Sequence, residues 1–136
     1  STITVYARAC PLFVPLVENG RFRPGDTVIE TVAREYLTPL RDTGIDTLIL
    51  GCTHYPLLTE VIADVMGGGV TLIDSGASAA RALRQTLSDK DLLAQRESGT
   101  LTLYASDQPQ DFGALAAQFL RRPLEGAVLP VDIERY

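Results

Sequence analysis

Cys52, Thr53 and His54 place a thiol, a hydroxyl and an imidazole at three consecutive positions, directly after Gly51. Leu48, Ile49 and Leu50 ahead of them form the short continuous apolar run of a strand covered on both faces, as parallel sheets in α/β proteins are. Gly51 breaks that run. Tyr55-Pro56 can then open a helix, because proline fits the first helical turn, where its missing N–H is not needed. Ligands of open α/β sheets bind beyond the carboxyl ends of the strands, so all three side chains would face a small polar substrate there. A helix starting behind them adds unpaired N–H groups and a dipole that favour negative charge, whether a thiolate at Cys52 or a substrate carboxylate. By residue type alone, a cysteine after a buried strand is as well read as a small inert core residue. Both readings stay open on these residues.

The elements that must position this turn alternate between strand and helix patterns, which indicates α/β units around a mostly parallel sheet. Thr2 to Tyr6 reads as a strand, and Pro11 to Val17 as a short helix ended by the Asn19-Gly20 turn signal. Arg21 to Gly25 is a loop. Asp26 is a good N-cap for a long helix in which Val28, Ile29, Val32, Ala33, Tyr36, Leu37 and Leu40 recur at helical spacing, with Pro39 and Gly44 bracketing its end. A helix from about Pro56 to Met66 is closed by Gly67-Gly-Gly69. Val70 to Ile73 makes a strand and Ser78 to Leu87 an Ala-rich helix. Ser88 to Thr100 is polar and charged, as an exposed linker is. Leu101 to Ala105, a Pro109 to Leu120 helix and the apolar Ala127 to Val131 complete the pattern.

At 136 residues the chain has the length of about one domain, and 46% hydrophobic residues suffice for a core. The apolar runs are interrupted by Pro, Gly or charge well short of a membrane span, and Ser1-Thr-Ile-Thr4 is not the basic start of a signal peptide. With a net charge of −5 and scattered arginines, nucleic acid is a poor partner. A pyridoxal phosphate enzyme needs a lysine for its Schiff base, and the single lysine is Lys90 within polar Ser88-Asp-Lys-Asp91. One His and two Cys fall short of the usual metal set unless carboxylates join. Gly67-Gly-Gly69 lacks the Lys-Ser/Thr ending of a phosphate loop. The expectation is therefore no cofactor and no metal. Two cysteines, one in a turn whose chemistry needs a free thiol, favour a reducing compartment.

Gly51-Cys-Thr-His-Tyr-Pro-Leu-Leu58 resembles the second cysteine motif of bacterial glutamate racemases, and Ala9-Cys-Pro-Leu-Phe-Val-Pro-Leu-Val-Glu18 is similar to another stretch of that family. Leu72-Ile-Asp-Ser-Gly76 resembles the family's next strand and turn, and Tyr104-Ala-Ser-Asp-Gln-Pro109 with Asp111-Phe112 and Phe119-Leu120 its closing strand and helix. Related aspartate and hydantoin racemases share the cysteine but less of the His-Tyr-Pro continuation, so glutamate is the preferred substrate. The resemblance implies a cytoplasmic, cofactor-independent racemase that supplies D-glutamate for peptidoglycan. Its fold would be two similar α/β domains with the active site in the cleft between them, each supplying one cysteine. The family's N-terminal Asp-Ser-Gly and Cys-Asn-Thr motifs are absent, and Asp74-Ser75-Gly76 is no substitute, since it follows Cys52. The chain therefore resembles the C-terminal half. On that mapping, residues 1–80 belong to the Cys52 domain and 81–136 return to a mostly missing first domain, leaving faces that pack on the missing half or on another copy.

The resemblance makes Cys52 the acid–base group on one face of the substrate and His54 an aid to proton traffic. Thr53 and His54 would contact substrate. Glu18 would bind the substrate ammonium or orient His54, against the alternative of a solvated carboxylate beside the Asn19-Gly20 turn. Asp74 and Ser75 read better as a helix cap than as a site, and Cys10 as structural. Three alternatives stay open: a racemase of another amino acid such as aspartate, a Cys52–His54 hydrolase, and a fragment without chemistry. Against the hydrolase, neighbours two apart at a turn seldom reach attack geometry, and the sequence shows no third group to orient His54.

Overall fold

The computed structural model describes residues 2–96, 98–107 and 109–135. They form two compact units, Ser1–Leu93 and Ala94–Tyr136. The division falls inside the polar 88–100 stretch.

The first unit begins with helix α1, Phe13–Glu18, which ends where Gly20 takes a positive φ of 75°. Helix α2, Thr27–Arg41, starts as its sequence requires: the Asp26 carboxylate accepts the Val28 N–H at 2.9 Å, and Glu30 reaches back to the Gly25 N–H at 2.8 Å. Its apolar stripe buries Ile29, Ala33, Tyr36, Leu37 and Leu40. Pro39 sits within the last turn rather than beyond it. Strand β1, Thr47–Leu50, pairs in parallel with β2, Thr71–Asp74, in the register Leu48↔Leu72 and Leu50↔Asp74. Between them a 3-10 turn, Tyr55–Leu58, leads into helix α3, Thr59–Met66, which stops at Gly67 with φ 80°. Helix α4, Ser75–Asp89, follows β2 without a break.

One core joins these elements. Phe13 and Val17 of α1, the α2 stripe, Leu50 of β1, and Leu58, Val61, Ile62, Val65 and Met66 are all buried together. Phe13 lies edge-on to both Tyr36 and Tyr55, with centroids 5.4 Å away in each case. The second unit pairs β3, Tyr104–Ala105, in parallel with β4, Leu129–Pro130, beside helix α5, Pro109–Leu120. Gln108 of the motif expected there lies outside the described residues.

The α/β class and the parallel pairing agree with expectation, but three details differ. Among the described residues, the parallel strands form two two-stranded pairs rather than one sheet. β1 is not covered on both faces: Leu50 is buried, while Ile49 on the opposite face is 66% exposed, because side chains alternate and the buried cluster receives only one face of the pair. Thr2–Tyr6 forms no strand, and Ile3 and Val5 stand exposed. Strand-like residues cannot form a ladder without a partner edge to take their N–H and C=O groups.

Candidate functional site

The carboxyl ends of β1 and β2 lie side by side, since Leu50 pairs with Asp74. The chain leaving β1 carries Cys52, Thr53 and His54; the chain leaving β2 carries Asp74 and Ser75. After β1 the backbone turns tightly, with the Tyr55 N–H donating to the Cys52 carbonyl at 3.3 Å and the Leu57 N–H to the His54 carbonyl at 3.1 Å. The expected helix start is thus a 3-10 turn with Pro56 in its first positions, and no side chain caps it.

The imidazole of His54 is the centre of that group. On one side Nδ1 stands 3.2 Å from Thr53 Oγ1 and 4.0 Å from Cys52 Sγ. On the other, Nε2 stands 3.2 Å from Glu18 Oε1, at ion-pair distance, and is shielded from solvent. A neutral ring that keeps its proton on Nε2, beside the carboxylate, presents Nδ1 as an acceptor to the thiol and the hydroxyl. The protonated ring carries a proton on each nitrogen and faces the Glu18 carboxylate at ion-pair distance. Thiol, imidazole and carboxylate therefore lie next to one another, with the ring between the other two.

The turn is anchored to the start of the chain. The Tyr55 phenol donates to the Cys10 carbonyl at 3.3 Å, and its ring packs against Phe13. Burial pushes the Tyr55 phenol above its ordinary value, with Cys10, Cys52 and Tyr36 adding to the effect, so it stays a donor at neutral pH. Cys10 is buried, and burial raises its thiol as well, partly offset by Arg8. Its own Sγ lies 3.7 Å from the Arg8 carbonyl. Cys52 is the more accessible thiol, and both cysteines are free.

Asp74 behaves differently. Its Oδ1 accepts the Gly76 N–H at 2.8 Å and the Ala77 N–H at 3.2 Å, which caps α4 in the manner expected of it. The structure thus brings together Cys52, Thr53, His54 and Glu18, and keeps Asp74 with its own helix. Tyr55 was legible only as a helix opener; its partner is 45 residues away, and no local signal points there. Glu18, which the resemblance offered as a group to orient His54, does stand beside the ring, so a hydrolase is no longer disfavoured for want of a third group. Among the described residues, no group of three or more His, Cys, Asp or Glu side chains could hold a metal ion, and no helix is long and apolar enough to cross a membrane.

Residues 7–83, which include every member of this group, match the family model for Asp/Glu/hydantoin racemase. The chain belongs to that racemase family. Within it, the chain is 43% identical over 133 residues to the glutamate racemase of Geobacter metallireducens, covering 97% of this chain and 48% of that protein. It superposes with a TM-score of 0.80 on the Francisella tularensis glutamate racemase crystallised with D-glutamate, at 34% identity, covering 96% of this chain and 48% of that one. The glutamate racemase of Thermus thermophilus, crystallised with β-chloro-D-alanine, gives the same TM-score at 38% identity, covering 95% and 48%. The chain thus spans about half the length of the racemases it matches.

Proposed function

We propose that this chain is the Cys52-bearing half of a glutamate racemase that interconverts L- and D-glutamate without a cofactor. The observation that carries this reading is the line from Cys52 Sγ through the His54 ring to Glu18 at the carboxyl end of β1, within a racemase-family chain. A stereocentre is inverted when one group removes the α-proton from one face while another returns a proton to the opposite face. Cysteine suits both roles, since modest tuning makes it thiolate or thiol near neutral pH. The Cys52 thiolate would take the α-proton of one enantiomer, becoming the thiol and leaving a carbanion that receives its proton from the opposite side. For the other enantiomer the Cys52 thiol is the donor. The opposing group comes from the other half of the enzyme, which carries the family's first cysteine motif. Thr53 and His54 contact substrate, His54 holds or passes the proton on the Cys52 side, and Glu18 orients the ring.

Glutamate rather than aspartate is the substrate that fits relatives of this kind. With it go a cytoplasmic location and the supply of D-glutamate for peptidoglycan. On the same reading residues 1–80 belong to the Cys52 domain and 81–136 return to the other, and exposed Ile3, Val5, Ile49 and Leu83 pack against the completing half or a second copy.

The test is α-proton exchange of L- and D-glutamate in D₂O, followed by NMR. The chain alone is expected to give none, and the chain completed by the N-terminal half of a relative to give exchange with inversion that Cys52→Ala abolishes. Inversion that survives Cys52→Ala would refute the assignment. A burst of product and a thioester mass on Cys52 after incubation with an acyl ester would favour the hydrolase instead.

A further inference from the structure

Glu18 and His54 are 36 positions apart, and the 3.2 Å approach between them depends on where α1 is held. Helix α1 is only six residues long, too short to hold its place by its own hydrogen bonds. Two contacts from one side chain fix its beginning: the Tyr55 phenol grips the Cys10 carbonyl three residues ahead of the helix, and the Tyr55 ring meets the edge of Phe13, its first residue. Tyr55 itself follows His54 directly, so the residue that positions α1 shares the backbone of the turn that carries the imidazole. Phe13 and Val17, both fully buried, then set the rotation of α1 that leaves Glu18 facing His54.

We infer that Tyr55 is a positioning residue: through the Cys10 carbonyl and Phe13 it holds α1 in the place and rotation that bring the Glu18 carboxylate to His54 Nε2. The phenol suits this task because burial pushes it above its ordinary value, so it stays a hydrogen-bond donor to the Cys10 carbonyl at neutral pH. That the pair matters for racemisation rests on the function proposed above; that Tyr55 sets its geometry does not.

His54 is the one histidine of the chain, so its ring protons and nitrogens give one set of NMR signals. They can be compared at a single neutral pH in the 136-residue chain, in Glu18→Gln, in Tyr55→Phe and in the double variant. Glu18→Gln is expected to shift the ring signals, and Tyr55→Phe to move them at least halfway toward the Glu18→Gln position. The double variant should coincide with Glu18→Gln alone. Tyr55→Phe keeps the ring that packs on Phe13 and removes only the hydroxyl. Phe13→Leu, which removes the ring contact and keeps the phenol, should move the signals in the same direction. Ring signals of Tyr55→Phe and Phe13→Leu that stay at the wild-type position, while Glu18→Gln shifts them, would overturn the inference. So would additive shifts in the double variant, which would mean that Tyr55 acts on His54 without Glu18. If these outcomes are as expected but the completed enzyme racemises normally as Glu18→Gln, the positioning stands and the proposed role of the pair fails.

Discussion

Two turns leave the carboxyl end of the same parallel pair, one after Leu50 and one after Asp74, and they use their polar side chains in opposite ways. After β2, Asp74 turns inward on its own chain and takes two N–H groups of α4. After β1, no side chain caps the turn; Thr53 and Cys52 face one side of His54, and Glu18 arrives from a different helix to face the other. A carboxylate committed to a helix N-terminus is held in place by local backbone, and one of its oxygens already accepts two N–H groups. Around His54 the contacts with Cys52, Thr53 and Glu18 run from side chain to side chain, so a proton can move there without removing a helix cap. Position at the carboxyl edge of a parallel sheet therefore does not by itself identify a catalytic residue. What separates the two turns is whether the polar group's partner is the local backbone or a side chain from elsewhere.

The difference predicts that the first turn fails in chemistry and the second in stability. On the proposed function, the largest effect belongs to Cys52→Ala in the completed enzyme, where loss of a direct proton-transfer group should lower inversion by at least about 10²-fold, with the folded state retained. Rates of α-proton exchange in D₂O, read beside the circular dichroism spectrum, measure both. Glu18→Gln should follow with about a 10-fold loss in kcat and little change in KM, because on the same proposal it acts through His54 rather than on the reacting atoms, below the ~10²–10⁴-fold of a direct acid or base. A loss confined to KM would place Glu18 on the substrate ammonium instead.

Asp74→Ala inverts the pattern. Removing an N-cap costs about 1 kcal/mol, within a range of roughly 0.5–2 kcal/mol, which a urea midpoint resolves. Turnover per folded molecule should be unchanged. A loss of turnover comparable to that of Glu18→Gln, without a shift in midpoint, would erase the distinction between the two turns.

Local signals made much of this fold legible. Asp26 marked the start of α2 and the 3.6-residue spacing of Ile29, Ala33, Tyr36, Leu37 and Leu40 marked its buried face, because capping and amphipathicity act over one or two turns of chain. Gly51, Gly67 and the Cys52-Thr53-His54 run located the turn for the same reason. What escaped was non-local. Ile49 lies in an apolar run that suits a doubly covered strand, yet only one face of β1 meets the core. Thr2–Tyr6 has strand-like residues, but no partner edge is recorded for it among the described residues. The approach of Glu18 to His54 rested on resemblance alone, and the grip of Tyr55 on Cys10 had no signal at all, since each joins residues tens of positions apart through packing.

The smallest effect separates capping from charge at a third carboxylate. Asp26 resembles Asp74 in capping its helix, but it also pairs with Arg21 at 2.9 Å. The hydrogen bond from Arg21 comes first among the causes that hold the Asp26 carboxyl below its ordinary range, ahead of the N–H groups of Val28 and Ile29, with desolvation opposing. A carboxyl that binds its proton less tightly when folded contributes stability that is present above its unfolded pKa of about 4 and is lost as pH falls through the lower folded value. Asp26→Asn keeps the capping oxygen and removes the charge. It should therefore lower the urea midpoint slightly at neutral pH and leave it close to wild type once acid has protonated Asp26. Added salt should shrink the neutral-pH difference as well, because an ion pair at the surface is screened and weak. No difference from wild type at neutral pH would mean that Asp26, like Asp74, stabilises by capping geometry alone, with Arg21 contributing nothing.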